Sequence, residues 1–470
     1  MKTFFPPHLI IRALMLMVLG QPLCMLAQEN SLEATIDEVL AAWNQDQVPG
    51  AAVAYLENGN VLFSKAYGLA NLEHEIVWTT DTVSDLGSVS KQFTGMAIAL
   101  LAEQGKLSLD DDIRQYLTEL PDLGKTITIR HLFHHTSGLR EIYETLFMIN
   151  RRPGDIILQE DAQTLIQYQS NLQFEPGSRY LYNNTEYMLL ADIVEAVTGQ
   201  QFHDWMDKNI FTPLEMNDTV IMHRQGQVIP RVATSYVKDA TGYYNQRYDN
   251  STLQGGGGIY STVEDMIKWL ANFSRHLVGN EQTFKTLTES GVLNNGESLN
   301  YGLGISVDAP GGITRWSHSG SSAGYRSMLE YLPDLDRGYI YLTSTPSNGS
   351  PASKLSQAFL GDVLPPPESD ITPEIPQIPK AMPLAKPKSY AGRYFSDELE
   401  VFYTVKLTAN ELSLYHRWLG EHKMLYLGED RFFLLELGGT LAFGRNDQNQ
   451  VDGFLFDNGR TIGVEFRQID

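Results

Sequence analysis

The chain has 470 residues, of which 42% are apolar and 20% charged, and its formal net charge is −22. This length exceeds what one hydrophobic core usually organises, so more than one domain is expected, and the near-average composition excludes wholesale disorder. The negative charge, without any long run of basic residues, argues against nucleic acid and anionic lipid as partners. The sequence leaves the oligomeric state open.

Residues 1–27 have the pattern of a cleavable export signal. Lys2 and Arg12 precede a mostly apolar run over 13–26, and Ala27 stands before a polar stretch. The run is too short to span a bilayer securely, so a retained N-terminal anchor is the weaker alternative, and we expect no stable membrane insertion after cleavage. We predict a periplasmic or secreted protein.

The single cysteine, Cys24, lies inside this segment. Its removal leaves a mature chain without a thiol, a disulfide or a cysteine metal ligand, and we expect no cofactor. Lipid attachment at Cys24 is the less favoured alternative, because Leu23 stands where a lipoprotein signal has a small residue.

A proline-rich stretch divides the chain. Residues 364–388 hold eight of the 21 prolines, a composition that favours extended structure and prevents a helix or a central strand. We interpret this stretch as a linker between a large domain, residues 28–363, and a small domain, residues 389–470.

In the large domain, predicted strands at both ends of the sequence enclose predicted helices. Asn58-Gly59 between two apolar runs indicates a β-hairpin, and Gly105 marks a helix end. This order predicts an α+β fold in which N- and C-terminal strands complete one antiparallel sheet. In chain order, the predicted elements are strands over Ala51–Leu56 and Val61–Tyr67, helices over Ser90–Gln104, Ala162–Tyr168, Tyr187–Val197 and Thr262–Phe273, and strands over Ile313–Ser317, Tyr325–Leu332 and Gly338–Thr343.

The small domain alternates apolar and polar residues in eight short runs, which are separated by turn signals such as Gly438-Gly439. This pattern is typical of a small antiparallel barrel or a sandwich. The predicted strands are Tyr390–Phe395, Leu399–Leu407, Glu411–His416, Lys423–Leu427, Arg431–Glu436, Thr440–Arg445, Val451–Phe456 and Gly463–Ile469.

Ser88 and Lys91 form a Ser-x-x-Lys tetrad at the first turn of the helix predicted over Ser90–Gln104. Residues three apart on a helix share a face, so the lysine can reach the serine hydroxyl, and the helix N-terminus adds backbone N–H groups beside it. The alternative is a helix-capping serine with a solvated lysine. A second tetrad, Ser235 to Lys238, lies in a strand-like stretch whose side chains alternate between faces, so we predict that Ser235 is not a nucleophile.

Two further short motifs could complete a catalytic site. Tyr182-x-Asn184 supplies a phenol that can relay a proton and an amide that can hold a substrate or the lysine. His318-x-Gly320 follows a predicted strand and would suit one wall of a cleft. Neither motif is specific alone, since Tyr-x-Asn recurs in the chain and a histidine in a Gly/Ser turn is often a surface residue.

In this order, the three motifs resemble those of the serine β-lactamase and penicillin-binding-protein superfamily, with His-Ser-Gly in place of Lys-Thr-Gly. The likeness covers about residues 30–360 and extends through segments 127–139, 174–190, 255–260 and 316–327. It points to the branch of class C β-lactamases, D-Ala-D-Ala carboxypeptidases and related esterases. Residues 389–470 look like the lipocalin-like β-domain often appended to such enzymes. The resemblance implies a β-lactamase/transpeptidase-like antiparallel sheet flanked by helices, with a helical subdomain and a C-terminal barrel.

The resemblance also implies catalytic roles. Ser88 would be the acylated nucleophile, and Lys91 and Tyr182 would share its proton. Asn184 would orient the substrate. The backbone N–H groups of Ser88 and Ser321 would form the oxyanion hole, worth roughly 3–4 kcal/mol per donor in comparable sites.

The third motif bears on the substrate. Gly320 would permit close approach, and His318 would face the substrate carboxylate or the leaving group. If His318 binds an anion when protonated, a rise from about pH 5.5 to about pH 8 should weaken the binding of acidic substrates. We expect a serine hydrolase that forms an acyl-serine intermediate from an ester, a D-amino-acid peptide or a β-lactam. The alternative is a penicillin-receptor-like binding or sensor protein that is acylated without turnover.

Two other constellations indicate different chemistry. Gly320–Gly324 fits the Gly-x-Ser-x-Gly elbow around Ser322, but the residues that follow predict a hairpin, whereas an elbow leads into a helix. His131, His134 and His135 lack the glutamate of His-Glu-x-x-His, so we expect no metal site there.

Overall fold

A computed structural model describes residues 32–152, 154–346, 351–366 and 378–469. The predicted signal over 1–27, with Cys24, and residues 367–377 of the predicted linker lie outside the described residues. No helix within these ranges is long and apolar enough to cross a membrane.

The strands of the described residues form one large sheet, one closed barrel and three small sheets. In chain order, the strands are β1 (Ala51–Glu57), β2 (Asn60–Tyr67), β3 (Leu69–Asn71), β4 (Ile76–Val77), β5 (Ser84–Asp85), β6 (Val220–Ile221), β7 (Tyr236–Lys238), β8 (Tyr244–Gln246), β9 (Ile259–Ser261), β10 (Ser306–Asp308), β11 (Arg315–Ser322), β12 (Tyr325–Leu332), β13 (Arg337–Thr343), β14 (Gly392–Ser396), β15 (Val401–Thr408), β16 (Glu411–His416), β17 (Gly420–Gly428), β18 (Arg431–Leu434), β19 (Thr440–Arg445), β20 (Val451–Asn458) and β21 (Thr461–Gln468).

The helices of the described residues lie mostly between β5 and β13. In chain order, they are α1 (residues 32–39), α2 (Lys91–Glu103), α3 (Ile129–Phe133), α4 (Ile142–Met148), α5 (Gln159–Gln167), α6 (Asn184–Thr198), α7 (Phe202–Met206), α8 (Val263–Arg275), α9 (Glu281–Leu287) and α10 (Ala352–Leu360).

The large sheet has the order β10-β11-β12-β13-β1-β2, and all its neighbours are antiparallel. The N-terminal strand β1 pairs with the late strand β13, from Ala51 opposite Thr343 to Glu57 opposite Arg337. Asn58 and Gly59 both have positive φ, 50° and 70°, as the two-residue turn between β1 and β2 requires. The predicted α+β class, with one sheet completed by both ends of the large domain, is confirmed.

Helices cover both faces of this sheet. On one face, α1 and α10 bury Ile36 and Phe359 against β1, β2 and β13. On the other face, α8 packs on β1 and β13, and α2 and α6 lie in the same continuous apolar core. Because both faces are covered, β1 is apolar along most of its length and is buried from Ala51 to Leu56.

Within residues 378–469, strands β14 to β21 close into an eight-stranded barrel. Alternate side chains point inward, so Tyr394, Phe432 and Phe466 are fully buried in an aromatic core. Met148, at the end of α4 in the large domain, lies in the same apolar cluster. The predicted C-terminal β-barrel is confirmed.

Candidate active site

Ser88 lies in a tight 3-10 turn, Gly87–Ser90, that leads directly into α2. Gly87 has a φ of +50°, and a Cβ built on it would lie 2.5 Å from the backbone nitrogen of Ser321. A Cβ on Gly320 would overlap the carbonyl oxygen of Leu86. Glycine at these two positions therefore lets strand β11 approach the turn over Gly87–Ser90, which we call the nucleophile turn. This approach places Ser321 beside that turn.

Lys91 is the first residue of α2 and is completely buried. Its Nζ lies 3.3 Å from Oγ of Ser88 and donates to Oδ1 of Asn184 at 2.8 Å and to the carbonyl oxygen of Gly256 at 2.6 Å. Burial lowers the pKa of Lys91 to about 7, against the attraction of Glu141. A substantial fraction of the amine is therefore neutral near neutral pH and able to accept a proton.

Tyr182 and Asn184 reach this centre from the N-terminal side of α6. The Tyr182 ring lies 4.9 Å from Nζ of Lys91, and burial raises the pKa of Tyr182 while the hydroxyl of Ser88 opposes the rise. The Tyr182 hydroxyl makes no hydrogen bond of standard geometry within the described residues. Asn183 caps α6 by accepting a hydrogen bond from the backbone of Thr185, which fixes Asn184 at the first helical position.

His318 lies on β11, with its side chain buried in the wall of the site. Its Nδ1 lies 2.6 Å from the carbonyl oxygen of Ser319, which can only accept, so this nitrogen carries the proton. Its Nε2 therefore accepts from the hydroxyl of Tyr301 at 2.9 Å. Burial and the nearby Lys91 lower the pKa of His318 to about 4. The imidazole is neutral from about pH 5.5 to about pH 8, so the charge change expected over that window does not occur there.

The structure thus brings together the seven residues that the sequence singles out for the site. Ser88, Tyr182 and Ser321 line or border two cavities of about 450 and 430 Å³ that meet at the nucleophile turn. His318 and Gly320 line the larger cavity, and Asn184 lines the smaller one. The arrangement places a serine hydroxyl, a buried amine and the backbone of Ser321 at one cleft.

The other candidate serines are placed differently. Oγ of Ser235 accepts a hydrogen bond from the backbone of Gly324 at 2.7 Å, and Ser235 is buried. Oγ of Ser322 donates to Asp249 at 2.7 Å, and Ser322 ends β11 in a hairpin with β12. A strand follows Ser322 in place of the helix that a nucleophile elbow requires.

The histidines 131, 134 and 135 do not converge on one point. Nδ1 of His131 accepts from the backbone N–H of Thr128, the residue that caps the short helix α3. Nδ1 of His135 instead lies 2.6 Å from Oε2 of Glu186 in the core. Among the described residues, no group of three or more His, Cys, Asp or Glu side chains is arranged to hold a metal ion.

Three residues at the site carry no sequence motif. Glu141 is fully buried, and its Oε1 accepts from Nδ2 of Asn184 at 2.6 Å. Tyr301 holds the His318 ring, and Arg460 reaches Glu144 from the barrel. Their signals in the sequence are weak, because a glutamate before a short helix and an arginine after Asn-Gly are common surface patterns.

A serine beside a buried lysine, at the start of a helix packed on an antiparallel sheet, defines a class of serine enzymes that work by acyl transfer. The chain belongs to the beta-lactamase family, whose profile matches residues 32–360.

Two relatives and one solved structure extend the comparison. The chain is 29% identical over 428 residues to penicillin-binding protein 4* of Bacillus subtilis, which covers 86% of this chain and 92% of that protein. It is 29% identical over 319 residues to a D-aminopeptidase of Brucella canis, which covers 67% of this chain and 60% of that protein. The octameric penicillin-binding protein homologue from Pyrococcus abyssi shares the fold, with a TM-score of 0.63 and 24% identity over 93% of this chain and 99% of that chain.

Proposed function

We propose that this protein is an exported serine hydrolase that cleaves peptide or amide bonds of D-amino acids through an acyl-enzyme on Ser88. The observation that carries the proposal is the 3.3 Å approach of the fully buried Lys91 amine to the Ser88 hydroxyl. An amine with a pKa of about 7 is suited to take a proton at neutral pH. Export rests on the sequence pattern of residues 1–27.

In the proposed reaction, Oγ of Ser88 attacks the substrate carbonyl carbon while its proton passes to the neutral Nζ of Lys91. The carbonyl oxygen becomes an oxyanion that the backbone N–H groups of Ser88 and Ser321 stabilise. Lys91 then returns the proton, through the Tyr182 hydroxyl, to the leaving nitrogen as its bond to carbon breaks. Burial keeps the Tyr182 phenol in its neutral form, which suits a relay more than a base. Loss of the amine leaves an acyl ester on Oγ of Ser88. Water then attacks the carbonyl carbon of this ester, the carboxylic acid leaves, and a proton from the water returns to Oγ of Ser88.

The choice among substrate classes rests on His318. A lysine at this position would give a permanent cation for the carboxylate of a β-lactam or a peptide, whereas His318 is neutral at pH 7. A neutral wall favours substrates without a carboxylate at that place. The likeness to a protein described as a D-aminopeptidase supports a D-aminoacyl peptide or amide before a β-lactam. Esters belong to the proposed substrates as well, because their cleavage proceeds through the same acyl-serine intermediate.

The test is covalent labelling followed by turnover. The mature chain is treated with a fluorophosphonate, the added mass is measured on intact protein, and the modified peptide is mapped. We expect the label on Ser88 and no labelling of Ser88→Ala, with Ser235→Ala and Ser322→Ala as matched serine controls that keep it. A label on Ser322 or Ser235 would contradict the proposal.

A panel of D-aminoacyl amides, p-nitrophenyl esters and nitrocefin then assigns the bond class. Sustained release from the D-aminoacyl amides, above that from the L-forms, is expected for the proposed enzyme. A stoichiometric burst without a steady state would instead identify an acylated binding protein, the alternative that the likeness to penicillin-binding protein 4* keeps in view.

A further inference from the structure

The turn between β20 and β21 of the barrel reaches the catalytic centre. Nε and Nη2 of Arg460 lie 2.9 and 2.8 Å from Oε1 of Glu144, and Nη2 lies 3.6 Å from Oε1 of Glu141. Nη1 lies 3.4 Å from the carbonyl oxygen of Tyr182, and the guanidinium lies over the Tyr182 ring. The next residue, Thr461, donates to the carbonyl oxygen of Glu141 at 2.9 Å. The barrel therefore supplies a cation, whose side chain is 31% exposed, to the cavity that Ser88 lines.

Glu141 connects this cation to the catalytic lysine. Its Oε2 accepts from the backbone nitrogens of Tyr143 and Glu144 at 2.8 and 3.0 Å, which caps α4. Its Oε1 accepts from Nδ2 of Asn184 at 2.6 Å. Since the carboxylate takes the NH₂ group of this amide, Oδ1 of Asn184 is turned toward Lys91, which donates to it at 2.8 Å.

Arg460 is already occupied by protein groups. Two carboxylates and one carbonyl oxygen surround its guanidinium, so its charge is balanced before any substrate arrives. The arrangement suits a residue that acts on other side chains more than one that binds an acidic substrate.

We propose that Arg460 of the barrel is a positioning residue for the acyl-transfer centre, which holds Glu141 and thereby the Asn184 amide and contributes the positive field that keeps Lys91 a neutral base. This inference rests on the proposed function of Ser88 and Lys91. It makes the barrel a working part of the active site.

The charges around Lys91 give the sign of the effect. Glu141 and Glu186 raise the pKa of Lys91, and Arg460 lowers it, in addition to the larger effect of burial. Burial also keeps His135 and His318 neutral, by lowering their pKa values, and keeps Tyr182 and Tyr187 neutral, by raising theirs. Burial raises the pKa of Glu141, and Arg460 opposes the rise most, followed by the N–H groups of Asn184 and Tyr143. In Arg460→Gln, the N–H groups of Tyr143, Glu144 and Asn184 still favour the ionised carboxylate. Loss of Arg460 should therefore raise the pKa of Lys91.

The test measures the rate of Ser88 labelling by a fluorophosphonate from pH 5 to pH 9, using the full mature chain. The acid limb of the pH–rate profile is the range in which the labelling rate rises with pH. In Arg460→Gln, this limb should move to higher pH by about 0.5–1 unit, while Arg460→Lys, which keeps the charge, should restore the wild-type limb. The change should fall on kinact more than on the reagent's KI, because protein groups already occupy the guanidinium of Arg460, although Arg460 also lines the 430 Å³ cavity. Arg467→Gln is the control, since Arg467 lies on β21 of the same barrel and pairs with Asp397 at the surface.

Glu144→Gln is a second variant, for which we expect the pH–rate profile to shift in the opposite direction. It removes the carboxylate nearest to Arg460, so the unbalanced guanidinium should move the acid limb to lower pH. This variant carries the test if Arg460→Gln proves unfolded by circular dichroism. Limbs that coincide with the wild type in both variants, or a uniform loss of rate at every pH, would overturn the inference. Absence of any Ser88 label on the wild type would instead overturn the proposed function.

Discussion

Lys91 donates to the carbonyl oxygen of Gly256 at 2.6 Å, which is closer than the 3.3 Å between its Nζ and Oγ of Ser88. The carbonyl fixes the amine without a formal negative charge, and no carboxylate of the described residues forms an ion pair with Lys91. Burial therefore dominates, and the pKa falls to about 7.

This relationship predicts a pH dependence for the acylation of Ser88. The neutral amine is the active form, so the acylation rate should rise about tenfold per pH unit below the Lys91 pKa of about 7 and level off above it. Lys91→Arg, which cannot lose its proton near neutral pH, should lower the plateau roughly 10²- to 10⁴-fold. Mass spectrometry of the fluorophosphonate adduct, in samples quenched at timed intervals, measures both the pH dependence and the plateau of the acylation rate. A rate independent of pH from 5 to 9 would rule out Lys91 as the base.

The lowered pKa of His318 predicts that its charge does not affect the binding of acidic substrates near neutral pH. Because its pKa is lowered to about 4, it carries a charge only below that pH, and binding of an acidic substrate gains nothing from it between about pH 5.5 and about pH 8. KM values for one acidic and one neutral substrate should therefore run parallel across this range. His318→Lys should lower KM for the acidic substrate roughly tenfold relative to the neutral one. Curves that diverge in the unaltered protein would show that His318 is protonated there.

Gly320→Ala should separate β11 from the nucleophile turn. The new Cβ would overlap the carbonyl oxygen of Leu86 and Oγ of Ser327, so backbone must move and the Ser321 N–H leaves its place. We expect a loss of roughly 10²- to 10³-fold in kcat, as for removal of an oxyanion donor. Gly444→Ala is the matched control, because its Cβ would meet only the side chain of Asp452, at 3.3 Å on the surface of the barrel. Equal activity of the two variants would contradict the assignment of Ser321.

Local chemistry decides how much of this structure the sequence can predict. The hairpin at Asn58-Gly59 and the barrel strands follow from turn residues and alternation, and the strands over Glu411–His416 and Thr440–Arg445 have the predicted bounds. The four predicted helices are present as α2, α5, α6 and α8. Short helices such as α3 and α7 were not predicted, because five residues give no readable period.

The site also contains residues that local motifs reveal and residues that only long-range contacts bring together. Ser88, Tyr182 and His318 stand in motifs whose spacing is local, whereas Glu141 and Arg460 meet only because the barrel docks on α4. The shift of the His318 pKa to about 4 also depends on burial among distant segments. Contacts of this long range leave no pattern in one sequence.

The last prediction concerns the ion pair between Arg140, which precedes α4, and Glu398 of the barrel. Arg140 and Glu398 are 3% and 4% exposed, and the guanidinium also donates to the carbonyl oxygens of Ile462 and Gly463.

Glu398→Gln leaves the Arg140 guanidinium buried without its counter-charge, a change that typically costs about 3–5 kcal/mol, and the two carbonyl partners of Arg140 place this variant toward the lower end. We expect a clear fall in the urea midpoint, together with slower labelling of Ser88 as Arg460 leaves the cleft. The control is Asp397→Asn, the preceding residue, whose ion pair with Arg467 is 70% and 53% exposed and should leave the midpoint unchanged. Similar midpoints for the two variants would mean that the buried pair does not hold the barrel in place.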